Sequence, residues 1–384
     1  MDKKYLKQIR NLLIVLAVFV IAAALKLTGT VSVKIVLAVF LFFMIFPVAT
    51  ALEKAGIPAF FATLFAALLI LVVLAAALWL IFYTVNVLVK TLPNYYSRIS
   101  ELEDLIVGLA SKWVEIPDDY SLFDSLGIDW LGGVLMPALR SLSSSAISIV
   151  GDVSVTFLLT VFLLVERNTI ISKIIQISRP DKQTKVAAVL DRIVKQVSKY
   201  LGLKILISAG TGVLFYVTAV IAKLDFAVIW AVLAFVLNFI PTFGSIIISV
   251  LVIFMSILQY APNWTPVLIT AIGAVGTQMI LGNIIDPRLQ GNNMNLSPFI
   301  ILVSLSIFGY IWGVVGMFLA VPLLSILEII FANMESCKGI AILLSSGSSF
   351  KKRFKASKSE KREAEEPTLF SDVFMPGEDS YPKK

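Results

Sequence analysis

Apolar residues gather in long runs at about 12–30, 31–50, 57–90, 146–166, 204–222, 226–259, 265–283 and 298–331. The polar stretches between them are of very unequal length. Continuous apolar runs of about 20 residues have the length of a helix that crosses a bilayer. The pattern predicts an all-α, polytopic membrane protein with about eight membrane segments. The first two runs are joined by Thr28-Gly29-Thr30, which predicts a tight helical hairpin.

Three of the runs, 57–90, 226–259 and 298–331, are too long for one crossing. Thirty-four residues of helix extend about 51 Å, against a hydrocarbon core of about 30 Å. After Pro58 the first contains no Gly or Pro, so it predicts one unbroken helix, tilted or projecting from the membrane. The second carries "NFIPTFGS", with Pro241 and Gly244 near its middle and Asn238, Thr242 and Ser245 beside them. The third carries Gly309, Gly313, Gly316 and Pro322. Proline removes a backbone donor and costs about 3 kcal/mol inside a helix. Glycine permits a reversal. Backbone groups freed in this way within lipid must be covered by protein or face water. A pair of interrupted segments in one half of a chain is a pointer to a transporter site. Kinked helices, double spans and re-entrant hairpins all fit 226–259 and 298–331. Two hairpins would enter from opposite faces, because the span 265–283 lies between them.

The loops set the orientation. Residues 90–143 hold four basic side chains against eight acidic ones, whereas 166–204 hold nine Lys or Arg against Glu166, Asp181 and Asp191. Positive charge marks the cytoplasmic side, so 167–203 and the basic N-terminus (Lys3, Lys4, Lys7, Arg10) are expected inside and 91–145 outside. Residues 1–25 resemble a signal peptide, but a second apolar run after so short a turn favours an ordinary first span. Within the inner loop, Val186, Val189, Leu190, Ile193, Val194, Val197 and Leu201 fall at helical spacing among lysines, with Asp181 as the expected cap. This amphipathic helix suits either the anionic inner leaflet or the flank of the bundle. The outer loop shows a similar, acidic pattern around Ile99, Leu102 and Leu105. Residues 335–384, rich in Ser, Lys and Glu, predict a disordered cytoplasmic tail behind a transport domain over 1–334.

Composition agrees: 58% of residues are hydrophobic and 15% charged, with a mean hydropathy of +0.93. The net charge of +7 follows the membrane-flanking loops, so no nucleic acid is expected as partner. The chain has no histidine and one cysteine, Cys337. Intrachain disulfides, histidine proton relays and the usual zinc or haem ligand sets are thereby excluded, and neither cofactor nor metal is expected. No nucleophile–base pair or phosphate-binding glycine loop appears, so the chain reads as a non-enzyme driven by a gradient rather than by ATP. Ionisable residues inside spans are informative. Asp152 and Asp286 are the two carboxylates suited to carrying a proton or cation, and Arg288 is a candidate partner of Asp286.

Downstream of the second long run, "TQMILGNIIDPRLQGNNMNLSP" places Gln278, Asn283, Asp286, Arg288 and several further amides between apolar runs. Amides and free carbonyls can bind a small polar solute or a weakly hydrated cation. "NFIPTFG", Gln278, "NIIDPRLQG", "LSP" and "GYIWGVVGMFLAVPL" together resemble the C-terminal hallmarks of the autoinducer-2 exporter family of bacterial permeases. The order of loops and runs over about 1–334 is similar too. The resemblance implies elevator-like carriers of the bacterial inner membrane, with cytoplasmic termini, some of them homo-oligomers. Some members are associated with export of a furanone-type signal, others with sodium(lithium)/proton antiport. The matching positions are Asn238, Pro241, Gly244, Gln278, Asn283, Pro287, Gly291, Pro298, Gly309, Gly313, Gly316 and Pro322. Leu281-Gly282 depart from the pattern, since many relatives have a polar or acidic residue before the asparagine.

The expected site is a solute-binding set of Asn238, Pro241, Thr242, Gly244, Gln278, Asn283 and Asp286 between the two broken segments. Gly309, Gly313, Gly316 and Pro322 are the expected hinge, and Asp152 and Asp286 the expected ion-coupling carboxylates. The leading expectation is a permease that exports a small polar solute by alternating access, in contact with anionic lipid. A sodium or proton antiporter on the same scaffold, and a non-transporting membrane scaffold, are the alternatives.

Overall fold

A computed structural model of the chain describes residues 3–91, 145–290, 296–334 and 337–346, with isolated positions between 95 and 141. The acidic outer-loop pattern, Gly291 with the amides that follow it, and the tail beyond 346 lie outside the described residues. The described part is helical: α1 (Lys3–Leu27), α2 (Gly29–Lys54), α3 (Ala59–Thr91), α4 (Ala146–Ile177), α5 (Gln183–Ile221), α6 (Ala227–Leu237), α7 (Phe243–Tyr260), α8 (Trp264–Thr277), a π-helix (Gln278–Ile285), α9 (Asp286–Gln290), α10 (Pro298–Asn333) and α11 (Lys338–Leu344). Among the described residues seven helices are long and apolar enough to cross a membrane. The unbroken run is one helix, α3, as its sequence predicts. The inner amphipathic segment and the span after it are a single helix, α5, preceded by a 3₁₀ turn at Pro180–Lys182 that contains Asp181. Asp181 therefore lies one residue before the position that would cap α5.

The chain divides into two compact units. Unit one takes Met1–Ile70, Val155–Gly202 and Gln290–Lys384; unit two takes Leu71–Ser154 and Leu203–Leu289.

In unit one the core joins Phe40, Phe43 and Phe46 of α2, Ile171 and Ile175 of α4, Val194, Val197 and Leu201 of α5, and Leu319, Leu324 and Ile329 of α10. The apolar stripe of the basic segment is thus taken by protein, the second of its two expected fates. Burial of that stripe removes about 1.5–3 kcal/mol of unfavourable hydration per large side chain. At one end, Arg167 of α4 is buried, donates to the carboxylate of Glu53 and lies 5.7 Å from the ring centre of Phe46. At the other, Ser32 reaches back to the Leu25 carbonyl at 2.9 Å, seven residues earlier, so the chain bends sharply at Thr28. The first residues assigned to the tail are ordered: α11 packs on α10, and Ser297 N–H donates to the Leu344 carbonyl at 2.9 Å.

In unit two, α6, α7 and α8 pack in sequence, α6 on α7 and α7 on α8. Phe215 and Ala219 of α5, Trp230 and Ala234 of α6, Ile248 and Val252 of α7 and Ala274 of α8 form their common core. The connection 222–226 between α5 and α6 holds Lys223 and Phe226 at φ 55° and 64°. Its carbonyls and amides are pinned by Gln259, Tyr260 and Trp230, and the Tyr95 hydroxyl donates to the Asp225 carboxylate. Burial first, then the bond to Asp225 and its negative charge, push the Tyr95 phenol well above its ordinary range. A raised phenol pKa favours the neutral ring in the folded state. Its stabilisation is full below about pH 10, the unfolded value, and is lost as pH rises through the folded one. Tyr95→Phe is expected to melt earlier than wild type near about pH 8, and the gap is expected to narrow in strongly alkaline solution. Thermal unfolding in detergent across that range measures it; a gap independent of pH would contradict the assignment.

Candidate functional site

The first broken run is two helices, α6 and α7, with residues 238–242 between them. Eleven residues of α6 rise only about 16 Å, too short to cross a bilayer. The chain then turns back. Phe243 N–H donates to the Pro241 carbonyl at 2.7 Å across Thr242, which is held at φ 63°, ψ −57°. This is the γ-turn of positive φ, rare and strained for a threonine. A Cβ added at Gly244 would land on the carbonyl of Leu237. Those residues are seven apart, about 10 Å along a straight helix, so they meet only because the chain reverses. The segment is a helical hairpin and not a single kinked helix.

Its tip meets a polar face on α5. Lys204, Ser208 and Thr211 recur at helical spacing inside an apolar run, and all three are buried. Asn238, the first residue of the break, is itself buried and donates from Nδ2 to Ser208 Oγ at 3.0 Å. One turn away, Lys204 Nζ pairs with Asp286 Oδ2 at 3.1 Å, their side chains 5% and 16% exposed. Asp286 pairs with Lys204, whereas Arg288, two residues on, is exposed.

Between these contacts runs the π-helix Gln278–Ile285. Such wide turns are rare, and they occur most often at functional sites. Gln278 opens it. Its amide oxygen lies over Gly282, where a Cβ would approach to 3.3 Å, and its Nε2 is buried with no hydrogen-bond partner. A buried amide donor without an acceptor costs about 1–3 kcal/mol, and such a group calls for an explanation.

Unit two therefore holds Asn238, Pro241, Thr242, Gly244, Gln278, Asn283 and Asp286. Asn238 and Asp286 are drawn onto the polar face of α5. Gly244 is buried at the crossing of the hairpin arms, whereas Thr242 at the tip and Asn283 on the π-helix are exposed. Asp152 is exposed near the start of α4. Sequence reasoning misses Lys204 and Ser208. Lys204 reads as the last charge of the basic loop, although its four-residue spacing to Ser208 and the further step to Thr211 are visible in the sequence.

The second broken run lies in unit one. Within Pro298–Asn333 the backbone leaves the helix at Trp312 (φ −127°, ψ 15°) and Gly313 (φ 63°, ψ −141°). Gly316 meets the carbonyl of Phe308, eight residues back, and a Cβ at Gly309 would lie 2.9 Å from Met317 Cγ. Here too the chain doubles back, with arms 298–311 and 314–333. The tip is anchored in its own unit: Trp312 Nε1 donates to Ser32 Oγ at 2.9 Å, and Lys26 Nζ stands 3.0 Å from the centre of the Tyr310 ring. Pro322 does not interrupt the second arm; it is buried within a continuing helix.

Comparison with known proteins fits this architecture. The profile described as AI-2E family transporter matches residues 12–336. A presumed transport protein of Borreliella burgdorferi is 30% identical over 86% of this chain and 89% of its own length. One of Haemophilus influenzae is 28% identical over 89% of the chain and 98% of its own length. The AI-2 transport protein TqsA of Escherichia coli is 29% identical over 85% of the chain and 92% of its own length.

Proposed function

This chain belongs to the AI-2E family of transporters, and on that premise we propose that it exports a small polar solute across the bacterial inner membrane by alternating access. The N- and C-termini lie in the cytoplasm. The solute site is the tip of the α6–α7 hairpin with the polar face of α5. The observation that carries this reading is the buried Asn238–Ser208 contact, which ties a strained chain reversal to a line of polar groups in an otherwise apolar helix. Gln278 supplies a further donor, so the solute is rich in hydrogen-bond acceptors. The AI-2 named for the Escherichia coli relative makes a furanone-type signal the first candidate. A second reading, sodium/proton antiport on the same scaffold, is favoured by the partly buried Asp286 paired with the buried Lys204.

Flux into and out of proteoliposomes tests both readings, with the furanone-type signal and sodium assayed separately. Asn238→Leu leaves Ser208 without its buried partner and is expected to lower solute flux at least 10-fold, the equivalent of about 1.4 kcal/mol. Movement of neither solute above empty vesicles would leave the non-transporting scaffold as the account of this chain.

A further inference from the structure

We infer that Lys204 is a tethered cation that occupies the Asp286 carboxylate until a monovalent cation, sodium in the first instance, displaces it. The inference rests on the carrier reading above and assigns a cation site to it.

The ion pair has features that a passive clamp does not need. Lys204 is 4% exposed, on a stretch of α5 whose neighbours are apolar or small. Two charges buried together gain little net stability over an apolar pair, because desolvation offsets most of their attraction. An ionisable pair in a membrane segment marks an ion pathway by default. The pairing geometry also leaves a place for competition. Lysine ends in a compact ammonium on a flexible stem, so its charge can leave the carboxylate without moving the helix. Asp286 follows directly on the π-helix, a wide turn of the kind found most often at functional sites.

The surroundings restrict which other charges can act. Between 203 and 289 the charged side chains are Lys204, Lys223, Asp225, Asp286 and Arg288. None lies on α6, α7 or α8. Lys223 and Asp225 belong to the connection at the far end of α5, and Arg288 and the preceding Lys199 are exposed. Cation binding at this carboxylate would therefore act first on Lys204, the charged side chain paired with it. Lys204 also stands one helical turn from Ser208, the acceptor of the Asn238 bond at the hairpin tip. Release of the lysine would be felt at the proposed solute site through one turn of α5.

Amine-reactive labelling of the purified wild-type protein tests this without any requirement for flux. Lys204 modification is read by mass spectrometry in sodium chloride and in the chloride of a bulky organic cation at equal ionic strength. Sodium is expected to increase labelling of Lys204 several-fold. Equal labelling in the two salts would overturn the inference. Direct binding of radioactive sodium supplies the second readout. Lys204→Gln is expected to bind about 10-fold more tightly than wild type, within the usual range of coupling between competing sites. Lys204→Arg is expected to retain weak binding. Lys204→Gln/Asp286→Asn, which buries no lone charge, is expected to fold and bind no sodium; undiminished binding by this variant would equally overturn the inference. A protein that moves no solute but shows sodium-dependent labelling would refute the carrier reading and leave the cation site standing.

Discussion

Gly244→Ala is expected to destabilise unit two by about 3 kcal/mol and to abolish solute flux, whereas Gly276→Ala is expected to be tolerated. At Gly244 the added methyl meets the carbonyl of Leu237, a backbone atom held by α6, and no rotamer can move it aside. Overpacking that only displaces side chains costs about 1–3 kcal/mol; a clash with backbone lies at the upper end or beyond. The clash is relieved only by parting the arms, which would pull Asn238 from Ser208. Gly276 also lies in a helix, but a methyl group added there meets nothing within 4 Å. Alanine at that position adds about 0.5–1 kcal/mol of stability. Denaturation in detergent and proteoliposome flux, measured side by side on the two variants, decide the matter. Equal behaviour would mean that the hairpin crossing is not as close as the structure places it. Gly316→Ala, against the Phe308 carbonyl, is expected to do the same to the hairpin of unit one.

Glu53→Leu is expected to cost about 3–5 kcal/mol, and adding Arg167→Met is expected to restore most of that loss. Arg167 is buried beside Phe46, and Glu53 accepts its hydrogen bond. Removing the carboxylate leaves a guanidinium charge in apolar surroundings, where an uncompensated ion is penalised by about that amount. Arg167 Nη1 is already buried without a hydrogen-bond partner, so the native pair is itself incompletely satisfied. Methionine fills similar space with no charge, and a well-packed apolar pair is often no less stable than a buried ionic one. Thermal unfolding of the two single variants and the double variant gives the coupling directly. A double variant as unstable as the sum of the single ones would show that the side chains act independently.

Both chain reversals are marked in the sequence, and the reason is local. Pro241, Gly244, Gly313 and Gly316 are residue types that a reversal in lipid requires, and the apolar run around them makes their placement visible. Pro322 looks similar and breaks nothing, because a proline within a buried second arm is accommodated by the packing of its neighbours. The fate of the amphipathic half of α5 cannot be read locally. Its stripe suits lipid and protein equally, and only Phe40, Phe43 and the second arm of α10, distant in sequence, decide for protein. The same holds at the site. Asn238 and Asp286 draw attention as polar residues in apolar company. Their partners Ser208 and Lys204 lie 30 and 82 residues away. Arg288, two residues from Asp286, is the nearer candidate and faces the wrong way for a helical neighbour. The π-helix carries no residue signature at all, since its wider turn is selected by packing rather than by intrinsic preference.

The proposed solute site at the 238–242 tip is expected to be water-accessible and to be reached in turn from either side of the membrane. Thr242 is exposed at that tip, and Cys337 is the sole cysteine, so Thr242→Cys in a Cys337→Ser background gives one reporter thiol. Reaction with a membrane-impermeant thiol reagent, applied outside or sealed inside oriented vesicles, reads its accessibility. The account predicts labelling from both sides and slower labelling when transported solute is present. A thiol that reacts from neither side, or from one side alone under every solute condition, would contradict it.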